Sequence, residues 1–123
     1  METKSLSEST ICCFGDSTTW GDNGCGAGGN DISWTSHLGA LLGGAVVENF
    51  GIKGSRIAIK ADRTDSFVER LDGIDDAADI YIVFGGVNDF SRNVPLGELG
   101  STDVHEFYGA LDYLIRTITA RSP

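Results

Sequence analysis

Residues 78–84 read Ala-Asp-Ile-Tyr-Ile-Val-Phe (ADIYIVF), apolar almost throughout and followed by Gly85 and Gly86. Such a run, rich in β-branched and aromatic side chains, is a strand, and its weak polar alternation fits a strand covered on both faces. Two upstream runs share the form: residues 10–14 (TICCF) stop at Gly15, and residues 45–50 (AVVENF) stop at Gly51. Helical signals lie between and after them. Trp34, Leu38, Leu41 and Leu42 recur on one helical face, with Asp31 or Ser33 as cap and Gly43-Gly44 as stop. Ser66 caps a short helix carrying Phe67, Val68 and Leu71. Thr102 or Asp103 opens a last helix with Val104, Phe107, Tyr108, Leu111, Leu114, Ile115 and Ile118 on a wide apolar face. Residues 15–30 and 85–99 read as loops, and residues 56–65 fit no single pattern.

Alternating strands and helices imply parallel strands joined by right-handed crossovers, an α/β class with ligand sites beyond the carboxyl ends of the strands. The chain obeys that rule in its composition. Each of the three strand runs gives way to a glycine and then to polar residues: Gly15-Asp16-Ser17, Gly51 through Ser55, and Gly86-Val87-Asn88-Asp89. The three turns are expected on one rim.

The length of 123 residues suits one domain, residues 1–123. A formal net charge of −9 argues against a nucleic-acid-binding face, which needs clustered Lys and Arg, and against anionic membrane surfaces. No apolar run is long enough to span a bilayer, and residues 1–9 carry no secretory-type apolar core, so a cytoplasmic location is expected. The three cysteines, Cys12, Cys13 and Cys25, do not form a disulfide framework; Cys12 and Cys13 read as buried free thiols. With two histidines only, no metal site is expected, and no cofactor. The Asp72, Asp75, Asp76 and Asp79 group, with Arg56 and Arg92, reads as solvated charge, and Trp20 and Trp34 as core or pocket lining.

Acyl transfer needs a nucleophile, a base and donors aimed at the developing oxyanion. Ser17, just past a strand end, offers a hydroxyl and its own N–H. Gly54, without a Cβ, lets its N–H approach a substrate, and Asn88 offers a side-chain amide. Together they make a three-donor oxyanion hole. Asp16 and Asp89 read as supporting residues that brace the turns around Ser17 and Asn88.

Residues 14–21 (FGDSTTWG) resemble the first block of the SGNH/GDSL hydrolases, with Ser17 at the nucleophile position. Residues 49–55 (NFGIKGS) resemble the second block, with Gly54 at its oxyanion glycine. Residues 84–90 (FGGVNDF) resemble the third, with Asn88 at its oxyanion asparagine. The resemblance implies a flavodoxin-like three-layer α/β/α fold with a parallel sheet in the order 2-1-3-4-5, and hydrolysis of small-molecule carboxylic esters, including acetyl or acyl groups on carbohydrate or lipid. Thr18 stands where many members carry leucine. The family's D-x-x-H block, which supplies the triad Asp and His, has no counterpart: Asp103-Val104-His105 has the wrong spacing, and neither His37 nor His105 is assigned to a triad. The resemblance therefore implies that later strands and the general base lie outside this sequence. Residues 78–84 would then form an exposed apolar edge through which copies self-associate. Two other readings of the same rim stay open: a non-catalytic sugar- or acyl-binding module or inactive fragment, and a phosphate-binding domain using the Gly15–Thr19 turn as an anion nest.

Overall fold

The computed structural model describes residues 4–121. The chain divides into two compact units: one runs up to Lys53 and takes in Ala77–Phe84, and the other comprises Gly54–Asp76 and the chain from Gly85 onward.

The first unit holds the sheet. Strands β1 (Thr10–Gly15), β2 (Val46–Gly51) and β3 (Ile80–Phe84) are all parallel, as the alternation of strand and helix predicts, and lie in the order β2-β1-β3 that the resemblance implies. The register pairs Ile11 with Val47 and Ile80, and Gly15 with Gly51 and Phe84. Burial confirms that residues 10–14 are the centre of the sheet: Ile11, Cys12, Cys13 and Phe14 are at most 1% exposed. The apolar run at residues 78–84 is shorter as a strand than it reads. Ala78 and Asp79 precede it, and the Asp79 carboxylate accepts the Thr10 N–H at 2.8 Å and pairs with Lys4 at 3.2 Å. β3 is an edge strand among the described residues, and Val83 and Phe84 are exposed, so the run is not covered on both faces there.

Helix α1 (Ser17–Trp20) interrupts the stretch read as a loop. It is one turn long, too short for a periodic signal, and is set by its cap: Asp16 Oδ1 accepts the Thr18 N–H at 3.0 Å. Helix α2 (Thr35–Leu41) follows a 3₁₀ turn at Asn30–Ile32 and stops where Gly43 and Gly44 take φ of +77° and +112°. Trp34, Leu38, Leu42, Val47, Ile80 and Ile82 pack around Ile11, Cys13 and Ala45. Leu41, expected on that face, is instead 79% exposed. The face turned to the sheet is Leu38-Gly39-Leu42: a Cβ at Gly39 would lie 2.7 Å from the Ala45 carbonyl oxygen, so a glycine lets the helix settle on β2 and Leu41 points away.

The second unit contains helices α3 (Phe67–Arg70), α4 (Val87–Ser91) and α5 (Phe107–Arg121). Ser66 and Glu69 form a full capping box on α3. Ile57, Ala58, Phe67, Leu71, Ile74, Ala110 and Leu114 are buried here, and Arg121 Nη2 donates to the Leu71 carbonyl at 2.9 Å. α5 begins later than Thr102 or Asp103. Ser101 Oγ accepts the Asp103 N–H, and the Asp103 carboxylate accepts the His105 N–H, so side chains hold this segment in a turn rather than a helix. Val104 lies in that turn and its carbonyl accepts the Ile59 N–H at 3.0 Å. Among the described residues no helix is long and apolar enough to cross a membrane.

Candidate active site

Ser17 is the first residue of α1, directly beyond β1, and is half-buried. The tight strand-to-helix turn depends on Gly15, where a Cβ would sit 2.2 Å from Thr19 Oγ1 and 2.9 Å from the Phe84 carbonyl oxygen. Asp16 is 1% exposed and holds the start of the helix through Thr18. At the other end, the Ser17 carbonyl accepts the N–H groups of Gly21 and Asp22, and Gly21 adopts φ +109° to end the turn. Beneath it, the Thr19 carbonyl takes two bonds, from Ser33 Oγ at 2.6 Å and Asn49 Nδ2 at 2.8 Å, and Asn49 Oδ1 accepts the Gly51 N–H at 2.9 Å. Ser17 therefore stands on a helical turn bonded through side chains to β2, by Asn49, and to the segment ahead of α2, by Ser33.

Gly54 has φ +78°, the left-handed conformation that favours glycine. Its neighbour Ser55 is buried; Ser55 Oγ donates to the Asp65 carbonyl at 2.6 Å and accepts from Arg70 Nη2 at 2.9 Å. Asn88 lies in α4, after Gly86 at φ +116°. Asn88 Nδ2 donates to the Ser55 carbonyl at 3.0 Å, so the structure brings the Gly54-Ser55 turn and Asn88 together. Asp89 is 2% exposed, and its carboxylate accepts the N–H groups of Ile57 and Ala58. Its partners are thus in a distant segment rather than in the Asn88 turn.

Arg56 differs from its reading as a solvated loop charge. Arg56 is 5% exposed and hydrogen-bonds the Asp62 carboxylate, a contact that holds the Asp62 carboxyl below the usual carboxylate range. Arg63 donates from Nε to Asp65 Oδ1 at 2.9 Å and from Nη2 to Oδ2 at 2.5 Å, lowering the pKa of Asp65 and raising its own. Arg92 is exposed. Neither Arg63, Arg70 nor Ser55 stood out singly in the sequence. The available signal was collective: residues 53–70 hold five of the nine Lys and Arg of an acidic chain.

Trp34 packs in the core, whereas Trp20, with Lys53 Nζ 4.8 Å from its ring centroid, lines an open cavity of about 400 Å³ with Asn30, Val47, Asn49 and Gly51. A second cavity, about 420 Å³, is lined by Gly86, Asp89, Phe90, Val94, Leu96 and Phe107. His37 is exposed, and His105, also exposed, has Nδ1 3.0 Å from Asp103 Oδ1. Cys12 and Cys13 are buried free thiols and Cys25 is an exposed one. Among the described residues no three His, Cys, Asp or Glu side chains are grouped to hold a metal ion.

Residues 13–123 match the model of the GDSL-like lipase/acylhydrolase family. A crystal structure 96% identical in sequence superposes with TM-score 0.95, covering 98% of this chain and 55% of its own. A protein from Lactobacillus plantarum is 34% identical, with TM-score 0.77 over 94% of this chain and 52% of its own. AlinE4, an SGNH-hydrolase family esterase, shares the fold at 22% identity, with TM-score 0.65 over 94% of this chain and 55% of its own. No curated protein matches the chain. The chain spans about half the length of these solved structures. Its parallel α/β sheet, its three strand-end turns and the family match over residues 13–123 agree: the chain belongs to the GDSL-like lipase/acylhydrolase family of hydrolases.

Proposed function

We propose that this chain carries the nucleophile and the oxyanion donors of a serine hydrolase acting on carboxylic esters of small molecules. Ser17 Oγ attacks the ester carbonyl, forming a tetrahedral intermediate that collapses to an acyl-Ser17 enzyme as the base returns its proton to the leaving alcohol; water then cleaves the acyl-Ser17 ester, releasing the acid and restoring Ser17. The N–H groups of Ser17 and Gly54 and the amide of Asn88 stabilise the oxyanion. The base that takes the Ser17 proton is a histidine outside residues 1–123, and the reaction needs no cofactor.

The observation that carries this reading is the sheet register. Gly15, Gly51 and Phe84 are partners across adjacent parallel strands, and Ser17, Gly54 and Asn88 follow them by two, three and four residues. Adjacent strands are about 4.8 Å apart and a residue spans at most about 3.6 Å, so short covalent tethers start all three groups from one sheet edge. Membership in a hydrolase family supports the same assignment. The test is covalent labelling of the full gene product with a fluorophosphonate probe, followed by peptide mapping. Label on Ser17, lost in Ser17→Ala, supports the proposal. Ligand binding with no label and no turnover would favour a sugar- or acyl-binding module instead.

A further inference from the structure

We propose that Asn49 is a positioning residue that sets where the Ser17 hydroxyl stands, by holding the one-turn helix α1 against β2. The inference rests on the esterase reading above and goes beyond it, to the group that aims the nucleophile. All of its parts lie in the first compact unit. Helix α1 has four residues, a length with almost no stability of its own in water. Its helical bonds are few: Trp20 donates to the Asp16 carbonyl, and Gly21 and Asp22 both donate to the Ser17 carbonyl. The Asn23 N–H, which a longer helix would direct to the Thr19 carbonyl, goes to Ala27 instead. Thr19 is 0% exposed, so its carbonyl needs donors from elsewhere in the protein.

Asn49 supplies one of them, and both ends of its amide are committed. Nδ2 donates to the Thr19 carbonyl at 2.8 Å and to Asn30 Oδ1 at 3.0 Å, while Oδ1 accepts the Gly51 N–H at 2.9 Å. The last bond has a plain cause. Ile52 donates its N–H to the Gly15 carbonyl on β1, so the Gly51 N–H points away from β1, to the side of β2 that has no strand among the described residues. That bond fixes which end of the amide is the oxygen and leaves both N–H groups for Thr19 and Asn30. Ser33 Oγ is the second donor to the Thr19 carbonyl, at 2.6 Å.

The packing leaves α1 no slack in this position. A Cβ on Gly51 would lie 2.2 Å from the Trp20 nitrogen and 2.7 Å from the Thr19 carbonyl carbon, so the backbones of α1 and β2 are in direct contact. Ser17 stands two residues before Thr19 on the same turn, and a shift of the Thr19 carbonyl carries the Ser17 hydroxyl with it. General stability would be served by a bond to any buried carbonyl. Here two donors from separate segments converge on one carbonyl of the nucleophile's own turn. A carboxylate in place of the amide has no donor and would face two acceptor oxygens, pushing α1 off β2. Displacing a reacting atom by about 1 Å costs about 10²-fold in rate.

The experiment uses the full gene product as wild type, Asn49→Asp, Ser33→Ala and Leu38→Ala. It measures kcat and KM for p-nitrophenyl acetate and p-nitrophenyl butyrate, the rate of fluorophosphonate labelling at Ser17, and the urea midpoint. Leu38 packs around Ile11, Cys13 and Ala45 in the core of the same unit, so its truncation controls for lost stability. Asn49→Asp should lower kcat and the labelling rate about 10²-fold with KM little changed, the signature of a misplaced nucleophile. Ser33→Ala, which leaves the amide in place, should lower both by a smaller factor, and Leu38→Ala should lower the urea midpoint while keeping kcat. An Asn49→Asp enzyme with wild-type kcat, one whose loss lies in KM, or one whose loss of kcat is matched by Leu38→Ala overturns this inference alone. Should Asn49→Asp fail to fold, Ser33→Ala decides, and wild-type kcat in that variant overturns the inference. Absence of Ser17-dependent turnover and labelling in the wild type overturns the esterase reading and this inference with it.

Discussion

The Asp89 carboxylate accepts the backbone N–H of Ile57 at 2.8 Å with one oxygen and that of Ala58 at 3.0 Å with the other. All three residues are buried, at 5% exposure or less. This one side chain thus satisfies two donors that have no strand or helix to pair with. Asp89→Ala would leave both unpaired out of reach of water, costing about 3 kcal/mol, read as a shift in the urea midpoint. Asp89→Asn keeps one acceptor oxygen but sets an NH₂ donor against the other N–H, so it should recover little of that loss. Equal stability of wild type and Asp89→Ala would show that these donors find other partners.

Asn88 makes a different prediction. It is half-buried, and its amide donates to a single carbonyl, that of buried Ser55. Asn88→Ala in the full gene product should lower kcat about 10²- to 10³-fold, the usual effect of removing one oxyanion donor. Its urea midpoint should move far less than that of Asp89→Ala. Near-normal turnover in Asn88→Ala removes this amide from the site.

Steric contact at Gly51 predicts a defect in α1. A Cβ there would lie 2.2 Å from the Trp20 nitrogen and 2.7 Å from the Thr19 carbonyl carbon, both backbone atoms that cannot swing aside. Gly51→Ala should therefore displace α1 and cost at least about 3 kcal/mol, as other overpacked sites do at their upper range. Trp20 fluorescence reports the displacement, and an unchanged spectrum and midpoint would mean that β2 yields instead.

Alkaline pH should destabilise the protein through Cys13. Burial, and after it the charge of Glu48, push this thiol from an ordinary value of 9.0 up to about 11. Between those values the unfolded chain releases the thiol proton while the folded chain keeps it, so the native state holds more protons and stability falls as pH rises. The slope is about 1.4 kcal/mol per pH unit, beginning near pH 9 and flattening near pH 11. Cys13→Ala should remove that slope in denaturation measured across this window. At pH 8, alkylation should label exposed Cys25 and spare Cys13.

Val83 and Phe84 are exposed on β3, an edge strand of the sheet among the described residues. An unprotected apolar edge pairs with other copies. Sedimentation velocity of residues 1–123 should show association that rises with concentration, and Val83→Lys should suppress it. A monomer at all concentrations would show that the edge is protected.

Sequence alone determined the elements whose information is local. Residues 10–14, 45–50 and 78–84 are apolar runs ended by turns, and Ser66 with Glu69 is a cap written three residues apart; each reads directly because neighbouring residues decide it. The parallel direction of the strands followed from the alternation of elements, their order β2-β1-β3 from the family resemblance, and the candidate residues Ser17, Gly54 and Asn88 from their positions after strands together with that resemblance. Helices α1 and α4 were not legible, because four or five residues give no period. Nor was the turn at Ser101–His105, where side chains outbid helical bonding for the backbone N–H groups. Only the tertiary structure could show that Gly39 rather than Leu41 faces β2, that Asp89 reaches back to Ile57 and Ala58, and that Arg63 lies against Gly54. Those relationships join residues 6 to 32 positions apart, and a side chain's partner at such separations is chosen by packing, not by the residues beside it in the chain.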